Sequence, residues 1–157
     1  MILIIHTTFS VVALLAGIIF LLPKGTEKHK KMGYLYTISM LICVVTSFGL
    51  FNIWGGFGVY HVLSIVSFIT LIIALYFPLF ARHNKHWVVQ HSIWMGYSYV
   101  GLVMAGGSHL FGVFPDWPSW LRVVAFWVFP YVLGSILIFK NKNEAVKKAI
   151  SNLKNKN

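Results

Sequence analysis

Residues 59–80 read VYHVLSIVSFITLIIALYFPLF and contain no Asp, Glu, Lys or Arg. A bilayer core about 30 Å thick is crossed by about 20 apolar residues wound as a helix. This run alone therefore marks a membrane-spanning segment. Four more runs of the same kind lie on either side of it, at about 3–22, 34–53, 88–113 and 120–140. The connections between the runs are short: PKGTEKHKKMG, WGGFG, ARHNKHW and PDWPS. The pattern predicts an all-α integral membrane protein, an up-and-down four-helix transmembrane bundle plus a fifth transmembrane helix. Residues 1–140 form the membrane domain, and 141–157 a basic cytoplasmic tail.

Composition leads to the same class. Of the 157 residues 58% are hydrophobic and 10% charged, against roughly 25% charged in a soluble domain. Three acids, Glu27, Asp116 and Glu144, face thirteen Lys and Arg, for a net charge of +10. The basic residues sit between and after the apolar runs, which is a topogenic placement and not a nucleic-acid groove. Cys43 is the single cysteine and lies inside an apolar run, so no disulfide framework or Cys-x-x-Cys pair exists within the chain.

Loop charge sets the orientation. The first connection holds Lys24, Lys28, Lys30 and Lys31, the third Arg82 and Lys85, and the tail six lysines. The second connection is uncharged and the fourth has only Asp116. By the positive-inside rule the N-terminus is outside and the C-terminus cytoplasmic, in the cell membrane. The first run lacks a charged segment before it, so it reads as a retained helix and not a cleaved signal. Trp54, Trp117 and Trp120 mark the outer boundary and Trp87 the inner one. In the tail, Val146, Ala149, Ile150 and Leu153 share a helical face suited to an anionic inner leaflet.

Seven histidines stand out in so apolar a chain, because ionisable groups near a bilayer core are costly and tend to be functional. His6, His61 and His109 fall near outer helix ends; His29, His83, His86 and His91 fall on the cytoplasmic side. His91 and His109 lie eighteen residues apart, five helical turns, and so share one face about 27 Å apart. In an up-and-down bundle helices 1 and 3 lie diagonally opposed, as do 2 and 4. His6 would then face His61 in the outer half, and His29 would face His91 in the inner half. Stacked bis-histidine sites of this kind suit two haem b groups, whose iron takes axial imidazoles from opposite sides.

The early His6, the segment Lys24-Gly25 and His29 to Tyr34, the pair Tyr60-His61 and the pair Gln90-His91 occur in this order. In that order the chain resembles a family of small bacterial multi-pass membrane proteins of unknown function. The histidine layout is similar to that of transmembrane di-haem b-type cytochromes, though those often pair histidines within one helix. That resemblance, which rests on architecture alone, implies electron transfer across the membrane and a quinone or other redox partner beside the lipid bilayer.

Two readings from other classes stand beside it. His6, His61 and His109 come from three helices at similar depth, and three imidazoles suffice to hold zinc or copper. The chain could instead be a non-catalytic transport or assembly subunit, although no predicted helix carries the buried Asp or Glu usual in proton-coupled carriers. Phosphate-cradling loops, dinucleotide fingerprints and paired carboxylates are absent. Any enzymatic role is thereby limited to a membrane oxidoreductase. His109 would serve as a substitute ligand or an outer proton donor, since imidazole titrates near neutrality.

Overall fold

The computed structural model describes residues 1–18, 24–50, 56–84 and 86–154, and every regular element among them is helical. The helices are α1 (Ile2–Ala16), α2 (Glu27–Ser47), α3 (Val59–Phe80), α4 (Trp87–Ser108), α5 (Ser119–Val123) and α6 (Phe129–Lys154). A 3-10 turn, His109–Gly112, follows α4. A π-helical turn, Val124–Val128, joins α5 to α6, so that residues 119–154 run on as one helix.

Three boundaries differ from the sequence reading. Helix α2 starts at Glu27 and not near 34, because Thr26 caps it: its hydroxyl accepts the His29 amide hydrogen at 3.2 Å. The lysine-rich connection is thus largely helix, and His29 lies on α2, not on a loop. Helix α4 stops at Ser108 and not at 113, just after Gly106 and Gly107, where glycine weakens the helix. The expected break at 140 is absent, since α6 continues into the lysine-rich tail as far as Lys154.

Two segments, Val59–Phe80 and Ser119–Lys140, are long and apolar enough to cross a bilayer. The described part of α1 is apolar but shorter, while α2 begins with three lysines and α4 carries Gln90, His91 and several Ser and Gly. The five comparable runs expected from sequence are therefore unequal in kind. Large apolar side chains such as Ile4, Val45, Val66, Phe80, Phe129 and Ile136 are exposed. So broad an apolar exterior is foreign to a water-soluble surface and natural against lipid.

The helices close a ring: α1 packs on α2, α2 on α3, α3 on α4, and α4 back on α1, while α6 lies along α4. Neighbours are antiparallel. Ser47 near the end of α2 donates to Ser64 near the start of α3, and His91 early in α4 bonds to Ala74 late in α3. Inside the ring are Ala13, Ala16, Tyr36, Met40, Val44, Leu71, Ala74, Met95 and Leu102. Two glycines permit close approach. A Cβ on Gly17 would run into the Tyr99 ring, and one on Gly134 would run into Val100.

Candidate functional site

Two successive antiparallel joints leave α2 and α4 parallel and diagonally opposed across the ring. Their register is fixed by one buried contact, Tyr36 Oη to Ser98 Oγ at 2.9 Å, in which both residues are 1% exposed. Seven residues earlier on α2 stands His29, and seven residues earlier on α4 stands His91. Seven residues are close to two full turns, so both imidazoles lie on the same sides of their helices as Tyr36 and Ser98. They also lie at matching depth.

The inner pair is close enough for the charge of His91, and that of Lys24, to bear on His29. Chiefly through burial, with His91 and Lys24 adding to it, His29 is held down to about 4, well below the usual imidazole value. His29 precedes the apolar stretch of α2 and is neutral at pH 7. Burial likewise lowers Lys24, whose Nζ donates to Ser92 Oγ at 3.1 Å. His91 Nδ1 lies 2.8 Å from the Ala74 carbonyl oxygen. A carbonyl only accepts, so Nδ1 carries the hydrogen and the lone pair stays on Nε2. Such an orienting bond is typical of an imidazole that ligates through its other nitrogen. His29 Nδ1 is buried with no hydrogen-bond partner among the described residues.

The outer histidines are arranged differently. His6 Nδ1 donates to the Cys43 carbonyl at 3.0 Å and lies 3.1 Å from Thr46 Oγ1, which leaves its Nε2 lone pair open as well. His61 takes the opposite tautomer. Its Nδ1 accepts the Gly58 amide hydrogen at 3.1 Å, so in the neutral ring Nε2 bears the hydrogen and has no lone pair for a metal. The ring is 3% exposed, stacks on Phe57 at 5.0 Å between centroids, and lies 6.2 Å from Phe48. His109, on the 3-10 turn, is exposed, yet near enough for its charge to reach His6. The early end of α4 takes His109 off the regular face it was expected to share with His91.

Among the described residues no three His, Cys, Asp or Glu side chains are gathered to hold a metal ion. The zinc or copper trio of His6, His61 and His109 is therefore not assembled here. His6 is turned to α2, His61 is engaged by Gly58 and the phenylalanines, and His109 sits at the surface. His83 and His86 are exposed in the turn before α4.

The family described as predicted membrane protein (DUF2306) matches residues 3–138. The chain belongs to that family. Its membrane character is thereby stated, along with a function that is unknown for the family. No curated protein and no solved structure matches the chain. Within this DUF2306 chain, sequence reasoning missed the Tyr36–Ser98 contact, the reach of Lys24 to Ser92 and the tautomer of His61. The first had a signal available: 98 − 36 and 91 − 29 are both 62.

Proposed function

We propose that this protein spans the cell membrane as an up-and-down four-helix bundle of α1–α4, with the segment 119–140 as a fifth span and the N-terminus outside. In this reading it holds a haem b between His29 and His91 on the cytoplasmic side and works as a membrane electron carrier. The observation that supports the haem reading is the common offset: the Tyr36–Ser98 bond joins α2 and α4, and His29 and His91 each stand seven residues before it. His91 offers Nε2, already oriented by Ala74, and His29 has a buried ring nitrogen without a described partner. With these features His29 and His91 are the residues that would hold the haem.

Haem, when bound, supplies a one-electron couple. The chain's own contribution would be to orient the His91 imidazole through the Ala74 carbonyl, while Lys24 places a cation near His29. The outer pair fits a haem less well, because His61 must release Gly58 before its Nε2 can ligate. One inner haem is therefore the primary site and a His6–His61 haem the secondary one. A redox partner on the cytoplasmic side, or a quinone in the bilayer, would exchange electrons with it.

The test is a reduced-minus-oxidised visible spectrum of detergent-purified protein from cells supplied with haem precursor. About one haem per chain is expected, lost in His29→Ala and His91→Ala and kept in His61→Ala. A flat spectrum at good purity, or an unchanged one in His91→Ala, overturns the haem assignment.

A further inference from the structure

Helix α2 carries a polar seam through the apolar interior. His29, Tyr36, Ser39, Cys43, Thr46 and Ser47 fall within less than a third of its circumference, counted at 3.6 residues per turn. The seam runs between two histidine clusters that lie at opposite ends of the ring.

At the outer end Ser10 Oγ donates to the His6 carbonyl at 2.7 Å and lies 3.0 Å from Cys43 Sγ, itself 4.0 Å from His6 Nδ1. Thr46 joins His6 from the next turn of α2. Ser39 comes one turn further in from Cys43. It is 1% exposed, and its hydroxyl has no hydrogen-bond partner among the described residues. That is unusual on a helix, where a serine hydroxyl has the carbonyl four residues back within reach. Ser10 and Ser64 use that partner here. Tyr36 and Ser98 continue the seam, with the tyrosine ring leaning toward the start of α2 and so toward His29. The inner end is His29 with His91, beside Lys24 and Ser92.

The chemistry of the seam selects among possible occupants. It consists of hydroxyl, thiol and imidazole groups, each able to donate and accept a hydrogen bond. The charged and titratable groups around it are His6 from α1, His91 and Tyr99 from α4, Lys24 before α2, and His61 and His109 at the outer end. Of the acids, Glu27 and Asp116 are exposed and lie outside the ring interior. A hard metal cation prefers a set of oxygen ligands that includes carboxylates, and among the described residues the seam offers none of those. A proton needs only groups that donate and accept in turn. Side chains one turn apart stand roughly 5–6 Å from Cβ to Cβ, a gap that one bridging water closes.

We propose that the α2 seam from Cys43 by Ser39 to Tyr36 and Ser98 is a proton path across the membrane interior, carried by thiol and hydroxyl groups with water between them. A proton entering at Cys43 passes by Ser39 and leaves at Tyr36 and Ser98, with no net chemistry on the protein. The path includes none of the proposed haem ligands, so it operates with or without haem.

The full chain, reconstituted in vesicles holding a pH-sensitive dye and driven by a valinomycin potassium potential, should acidify its lumen faster than empty vesicles. Ser39→Ala should slow that rate about tenfold, a barrier raised by ~1.4 kcal/mol, and Ser39→Thr should restore it. Helical content measured on the same samples separates loss of path from loss of fold. Wild-type vesicles no faster than empty ones overturn the proposal. So does a folded Ser39→Ala protein as fast as wild type, or equal passage of sodium.

Discussion

Replacing Tyr36 by Phe removes one hydroxyl and leaves the ring in place, which makes it a clean probe of the register between α2 and α4. Tyr36 and Ser98 are both 1% exposed and 2.9 Å apart at their hydroxyls. A buried polar group stripped of its partner costs about 1–3 kcal/mol. Interhelical side-chain hydrogen bonds in bilayers average only about 0.6 kcal/mol and reach about 1.7. Ser98 also has the carbonyl four residues back as a fallback, the partner that Ser10, Thr46 and Ser64 use. About 1 kcal/mol is therefore expected for Tyr36→Phe, a shift of roughly fivefold in the folding equilibrium. Ser98→Ala should cost about the same, and the double variant scarcely more than either, because the second change removes an interaction already gone. Reversible unfolding in mixed micelles, followed by helical signal, reads all four corners of this cycle. If the two single losses simply add, the hydrogen bond does not join these helices, and the register argument for His29 and His91 fails with it.

Gly17→Ala should destabilise the α1–α4 contact by about 1–3 kcal/mol, since the new methyl meets the Tyr99 ring; the same unfolding assay measures it. Thr26→Ala should cost about 1 kcal/mol and loosen the turn that holds His29, seen as faster amide exchange at the start of α2. His29 is held near 4 when folded against about 6.5 when unfolded. The unfolded chain therefore binds the proton first as pH falls. Stability from this group is fully present above about pH 6.5 and drains away toward pH 4. Thermal unfolding at pH 7.5 and pH 5 should show that loss, and His29→Gln should make it shallower.

Much of this was legible in the residues. The apolar run of 59–80 coincides with α3 at both ends, because its limits are set by Gly58 and by the chain turning at Ala81. The start of α2 was harder to read. Lys28, Lys30 and Lys31 look like a loop when hydropathy is the guide, yet lysine is a good helix former and Thr26 supplies the cap. Bundle topology alone led to the expectation that His29 faces His91, and the charge of His91 bears on His29 in the folded chain. The outer layer could not be read in the same way. Whether an imidazole offers a lone pair depends on which hydrogen bond its other nitrogen makes, and the Gly58 amide beside His61 is a backbone contact with no signature in residue types. The end of α4 likewise turned on Gly106 and Gly107, whose effect on His109 depends on where the helix gives way.

The uneven polarity of the helices bears on how the chain is built into its membrane. During synthesis each helix is offered to lipid in turn, and Asp, Lys or Arg at its centre weighs heavily against entry. Helix α3 and the segment 119–140 are long and apolar enough to enter on their own. Helix α4, with His91, Ser92, Ser98 and its glycines, emerges between those two strong anchors and packs against both α3 and α6 once they are in place. In the five-span arrangement proposed above, the helix with the most neighbours is thus among the least able to enter lipid unaided, and its insertion would be a cooperative act of the segments on either side of it.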